Sequence, residues 1–223
     1  MRVTFATGES VKYVGHLDLA RAWERAIRRA RLPLSYSQGF HPQPRIQFAS
    51  ALPLGFTGAA EVVDVYLDEE LDPAAFLLQL EPALPRGIRP TEAIIVPRDL
   101  PSLQSKVCGA TYGVEVETDE TDAAFGSRLE AFRARPSAWR ERRRGDKVVR
   151  YDLRPLVKSL RYRGPCELGQ AFVTEMYSEP GATGRPDELL AELGFEGAAR
   201  RIERLELTFS NDQGSKREPH DSH

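Results

Sequence analysis

Residues 17–31, LDLARAWERAIRRAR, constrain this chain more than any other stretch. At about 100° per residue, Leu19, Ala20, Trp23, Ile27 and Ala30 fall on one side of a helix. Arg21, Arg25 and Arg28, with Arg29 beside them, fall on the other. An amphipathic helix gains most of its stability by burying its apolar face, so the remaining chain must supply a surface to receive it. Pro33 stops the helix. The loop beyond it, Gln38-Gly39-Phe40-His41-Pro42-Gln43-Pro44, joins a glycine free to take unusual torsions to two stiffening prolines. The arginine face is either solvated surface braced by Asp18 and Glu24 or a site for phosphate. The stiff neighbouring loop favours phosphate.

Periodicity sets the elements around this helix. An alternating strand at residues 2–7 precedes it, and extended segments at 34–36, 45–49 and 60–67 follow. A helix opens at Asp72-Pro73 and runs to about residue 84, and a strand at 88–96 ends the half. The order is β-α-β-β-α-β. The second half repeats the plan, with strands at 110–118, 138–144, 147–152, 170–177 and 202–209 and helices at 122–134 and 186–193. The expectation is an α+β fold of two tandem ferredoxin-like units with antiparallel sheets, residues 1–97 and 107–210. A linker spans 98–106, and a disordered tail, NDQGSKREPHDSH, spans 211–223.

With 223 residues, 41% of them hydrophobic and 29% charged, the composition is that of a soluble globular protein. No apolar run approaches the roughly 20 residues that cross a bilayer, and the N-terminal residues lack a signal-peptide core, so a cytoplasmic location is expected. Cys108 and Cys166 form no paired spacing, which argues against a disulfide scaffold, a zinc site or an iron–sulfur cluster. No cofactor and no metal are expected. The net charge of −2 hides segregation: residues 1–57 carry +5 and residues 138–165 carry +7, while the rest is acidic. A polyanion would therefore meet two local basic surfaces.

The second basic block holds Arg140, Arg142, Arg143, Arg144, Lys147, Arg150, Arg154, Lys158, Arg161 and Arg163, with a hairpin turn expected at Gly145-Asp146. Alternation puts Arg140, Arg142 and Arg144 on one face, where three like charges repel unless an anion joins them. The other reading is a charged edge hairpin that resists aggregation. In the turn Gly181–Arg185 and the helix start Pro186-Asp187-Glu188, ordinary helix-start chemistry explains everything but Arg185, which could reach out.

His16 and His41 are the two histidines outside the tail. Brought together they could serve as acid and base in metal-independent RNA cleavage, although a helix start and a turn hold histidines for structural reasons too. No phosphate loop, dinucleotide fingerprint, zinc-protease or nucleophile-elbow motif occurs. Asp68-Glu69-Glu70 and Asp72 could hold Mg²⁺, but an N-capped helix accounts for them better. Tyr36, Phe40, Phe48, Trp139 and Tyr151 could stack on bases, Phe40 above all.

Four segments in the first half, Tyr13–Asp18 (YVGHLD), RAIRRARLP from Arg25, Tyr36–Pro42 (YSQGFHP) and Leu52–Gly55 (LPLG), together resemble the bacterial radical-SAM-linked protein family. Asp152–Pro155 and Thr183–Pro186 extend the resemblance into the second half. It implies a partner rather than a chemistry: members occur fused to or encoded beside cobalamin-binding radical S-adenosylmethionine (SAM) enzymes. The expected function is thus an RNA-binding or substrate-presenting partner of such an enzyme, working on rRNA or tRNA and not on DNA or membranes. Its binding residues would be Arg21, Arg25, Arg28, Arg29, Gly39, Phe40, His41, Arg142, Arg144, Arg154 and Arg185. The alternatives are a ribonuclease using His16 and His41, or a protein-interaction module without RNA affinity.

Overall fold

The computed structural model describes residues 1–145, 147–179 and 182–210, without the side chains of Arg144, Lys147, Glu179 and Ala182. Asp146 of the expected turn and the expected tail 211–223 lie outside the described residues. The first half contains β1 (Arg2–Thr7), α1 (His16–Arg29), β2 (Ile46–Phe48), β3 (Thr57–Val65), α2 (Pro73–Leu80) and β4 (Ile88–Ile94). A short helix α3 (Leu103–Lys106) leads into β5 (Val107–Glu117) and α4 (Asp122–Arg133). Then come β6 (Trp139–Arg144), β7 (Lys147–Asp152), β8 (Val157–Cys166), β9 (Gly169–Glu179), β10 (Ala182–Thr183), α5 (Pro186–Glu192) and β11 (Arg200–Phe209). The expected linker is partly structured: Ser102 caps α3, accepting from the Ser105 amide at 3.3 Å, and Leu103 is buried.

The result is an α+β protein built on one mixed sheet. Its order is β10-β9-β5-β11-β3-β1-β4, with β2 also beside β3 and β8 beside β9. Eight strands form the body of the sheet, and the two-residue β10 is a ninth at one margin. Neighbours are antiparallel except β11 and β3, which pair in parallel through Glu203 with Thr57 and Arg204 with Gly58. Separate tandem ferredoxin-like sheets are not evident. The first-half strands β4-β1-β3-β2 and the second-half strands β11-β5-β9-β8 are fused at β3 and β11, where two edges satisfy each other's backbone groups.

The second half also corrects the strand assignment. Residues 138–144 and 147–152, expected in the main sheet, form the separate two-stranded sheet β6–β7, and β8 takes their place beside β9. β8 was not foreseen because Lys158, Arg161 and Arg163 interrupt its apolar positions, Val157 and Leu160, so that it reads as part of the charged block.

Register identifies the buried face. Thr7 lies opposite Gly58, Gly58 beside Arg204, and Arg204 opposite Tyr112, so these four side-chain positions share one face. On that face α1 and α2 cover Val3, Phe5, Val63 and Val65, forming one apolar cluster. There too α4 and α5 cover Ala110, Tyr112, Val114 and Val116, forming a second. Among the described residues no helix is long and apolar enough to cross a membrane.

Candidate nucleic-acid interface

The apolar stripe of α1 is anchored as its spacing requires. Trp23, Ala26 and Ile27 are buried, and the Trp23 ring meets Phe5 edge-on at 4.9 Å between centroids. The helix ends without glycine. Arg31 takes the left-handed conformation, φ 55°, with its amide bonded to the Arg28 carbonyl at 3.0 Å and the Leu32 amide to the Ile27 carbonyl at 3.1 Å. This is the Schellman arrangement, in which glycine is the usual occupant of the left-handed position.

The opposite face presents the expected arginines. Arg21, Arg25 and Arg28 are exposed. Arg21 pairs with Asp18 at 3.0 Å and Arg28 with Glu24 at 3.6 Å, both within the helix. The side chains of Arg25 and Arg31 make no hydrogen bond or ion pair among the described residues. Exposed pairs of this kind are worth about 0.3–0.5 kcal/mol, little resistance to a phosphate oxygen. Arg29 does not join this set, because its Nη2 donates to the Ala83 carbonyl at 2.9 Å and fixes α1 to the turn after α2.

The Gly39 loop is a narrow arm. Its sides close where Tyr36 bridges Pro44, where the Ser37 amide donates to the Gln43 carbonyl at 2.8 Å, and where the Gln43 amide donates to Ser37 Oγ at 2.9 Å. At its base the Arg45 guanidinium stands 4.2 Å from the Tyr66 ring centroid. Gly39, with φ 130°, supplies the torsion that turns the tip. Phe40 at that tip is fully exposed, and His41 beside it is exposed too.

His16 occupies a different setting. It is half-buried, edge-on to Phe48 at 5.3 Å, and shares a cavity of about 20 Å³ with Thr7, whose buried hydroxyl has no partner among the described residues. That volume suits one water molecule. Among the described residues no hydrogen bond, ion pair or ring contact joins His16 to His41.

Two of the segments quoted for their resemblance meet in space beside the start of α1. The Gly55 amide donates to the Lys12 carbonyl at 2.7 Å, and a Cβ at Gly55 would lie 3.5 Å from the Tyr13 ring. The surface they build is apolar: Tyr13, Leu17 and Leu54 are 74%, 71% and 63% exposed. Sequence reading missed this patch, because each residue alone passes for an ordinary core position.

The second basic block behaves otherwise than expected. Arg140 and Arg142 do share a face of β6, but the anion that joins them comes from α5. Arg140 pairs with Glu192 at 3.0 Å, and Arg142 grips Glu188 with Nε at 2.8 Å and Nη2 at 2.7 Å. Arg142 also donates to the Thr183 carbonyl, and Tyr151 donates its hydroxyl to Glu188. Arg185 is bidentate on Asp187 at 3.1 and 2.8 Å. Arg154 binds the Arg133 carbonyl at 2.9 Å and the Val157 carbonyl at 3.1 Å, closing the end of α4. Arg142, Arg154 and Arg185 therefore hold the fold rather than present free cations, and the side chain of Arg144 lies outside the description. The outward residues of the hairpin are Trp139, Glu141, Arg143, Val148 and Arg150.

Asp72 is the N-cap of α2, accepting from the Ala75 amide at 2.9 Å. Glu69 and Glu70 border a cavity of about 380 Å³ together with Tyr66, Ile95, Arg98 and Leu100. Among the described residues no group of three or more His, Cys, Asp or Glu side chains is placed to hold a metal ion.

The profile of a family described as an uncharacterized protein conserved in bacteria (DUF2344) matches residues 1–185. No curated protein matches the sequence. Among solved structures, a chain from "Crystal Structure of a Cbf5-Nop10-Gar1 Complex" is similar at 10% identity and a TM-score of 0.48. The match covers 92% of this chain and 48% of the other, so the present chain spans about half the length of that one.

Proposed function

The chain belongs to that bacterial family, and we propose that it acts there as an RNA-binding, substrate-presenting partner of a cobalamin-dependent radical SAM enzyme that modifies rRNA or tRNA. The observation that carries the RNA reading is the exposed row Arg21, Arg25 and Arg28 on a helix whose other face is locked in the core. Arg31 continues it. Guanidinium groups held on a rigid helix neutralise successive phosphates without a large loss of backbone freedom. Phe40, carried on a closed arm, offers a ring for a base to stack on, and Gly39 lets the strand approach the backbone. The apolar patch Tyr13, Leu17 and Leu54 is a separate surface of the kind proteins dock on, and in this reading the enzyme meets it there. The strand orders of the two halves also support reading them as duplicated ferredoxin-like units merged into one sheet.

Crosslinking in the bacterium from which the chain comes, followed by sequencing of attached RNA, tests this. The reading expects one class of rRNA or tRNA, with the crosslinked peptide mapping to α1 or the arm. Enzyme recovered after nuclease treatment with no RNA attached would favour the pure protein-interaction module instead.

A further inference from the structure

The hairpin that failed to present Arg142 presents something else. One face of β6–β7 is riveted to α5 by Arg140–Glu192, Arg142–Glu188 and the Tyr151–Glu188 hydrogen bond. Three contacts to a single helix leave the ribbon little freedom to rock. Its other face carries Trp139, 57% exposed, with the Arg150 guanidinium 4.8 Å from the indole centroid. Arg143 stands on the same face, opposite Val148. Neither the Arg143 nor the Arg150 side chain has a hydrogen bond or ion pair among the described residues, although Glu141 sits directly across from Arg150 in the register.

We infer that this outward face of the hairpin, Trp139 with Arg143 and Arg150, binds unpaired nucleotides of the RNA strand; the inference rests on the RNA reading above. An indole with a cation held against it and a surface still open to solvent is a platform on which a base stacks. Arg143 lies four residues further along β6, about 14 Å at roughly 3.4 Å per residue, and so reaches the backbone of a neighbouring nucleotide. Glu141 and Asp152 share this face, but Asp152 Oδ1 already accepts from the Ala138 amide at 2.7 Å and the Arg154 amide at 3.0 Å, whereas the guanidiniums of Arg143 and Arg150 are left for phosphate. Single-stranded RNA fits better than a duplex: the major groove of A-form RNA is too narrow for a ribbon, and paired bases hide the faces that stack.

The chain reports on this site by itself. It has two tryptophans, and Trp23 is fully buried, so a change in indole emission on adding RNA comes from Trp139. Adding an unstructured oligouridine strand to the full chain should quench that emission. Trp139→Ala should weaken binding by about tenfold, as the loss of one stacked base does. Arg143→Gln with Arg150→Gln should weaken it further and reduce its salt dependence, and unchanged thermal melting would confirm that these variants fold. If the native chain binds RNA while Trp139 emission and the affinity of Trp139→Ala stay unchanged, the hairpin proposal is wrong and the α1 reading stands. If the native chain binds no RNA, both fall. Equal quenching by duplex DNA would overturn the assignment to unpaired RNA.

Discussion

Arg204 and Glu61, 143 residues apart, form a bidentate ion pair in which both side chains are almost completely buried. Arg204 Nε reaches Glu61 Oε1 at 2.8 Å, and Nη2 reaches the second carboxylate oxygen. The remaining donors go to the Ser50 carbonyl at 3.1 Å, Ser50 Oγ at 3.3 Å and the Ala51 carbonyl at 3.2 Å. Every N–H of the guanidinium thus has an acceptor. Gly58 makes room for this arrangement, since a Cβ there would lie 2.7 Å from Glu61 Cγ. The pair stands on the covered face where β3 meets β11, the seam between the two halves.

Removing one member of such a pair leaves a buried charge unmatched. Arg204→Met or Glu61→Leu alone should each lower stability by about 3–5 kcal/mol. Replacing both together should recover much of that loss, because two apolar side chains leave no charge to solvate. Urea unfolding of the three variants checks this. Losses that simply add would show that the ion pair is not the unit holding the seam.

Arg31 is the one described residue other than glycine with positive φ, and its side chain makes no hydrogen bond or ion pair among the described residues. Arg31→Gly should therefore raise stability by about 0.5–1 kcal/mol, the relief of a side chain in the left-handed region outweighing the entropy of added chain freedom. The same change should weaken RNA binding slightly by deleting a cation. A lower melting temperature would mean that the Arg31 side chain makes a contact worth more than its strain.

Tyr151 gives a pH signature. Burial first, and then its hydrogen bond to Glu188, push its phenol up from the ordinary 10.0 to about 12. The folded state holds this proton more tightly than the unfolded chain does. The resulting stabilisation is complete below the unfolded pKa near 10 and is lost as pH rises from there through about 12. Tyr151→Phe should remove one late-ionising phenol, near pH 12, from an ultraviolet titration and flatten the loss of stability across that window. A titration identical to that of the native protein would contradict the assignment.

How much of this was legible in the sequence depended on how local the cause was. Trp23 and Ile27 mark the buried side of α1 by spacing alone, and Asp72 and Pro73 mark the start of α2 by chemistry confined to one turn. The arginine row Arg21, Arg25 and Arg28 follows from the same spacing. Arg142 was misread because its partner, Glu188, lies 46 residues away on another element. The pattern correctly put Arg140 and Arg142 on one face but could not say that α5 supplies the anion. β8 escaped notice because its exposed positions are arginine and lysine, which masked Val157 and Leu160. The parallel joining of β3 to β11 leaves no local trace, since each strand taken alone reads as an ordinary amphipathic segment.

The central claim, that α1 holds an RNA backbone, is tested most directly by measuring affinity for an unstructured RNA strand across a range of salt concentrations. Each phosphate contact on a single strand contributes about 0.7 to the log–log slope. The variant carrying Arg21→Gln, Arg25→Gln and Arg28→Gln should therefore show a slope shallower by about 2 than the native chain. Arg142→Gln, whose native side chain is committed to Glu188, should leave the slope as it was. Parallel lines for the native chain and the triple variant would contradict the account.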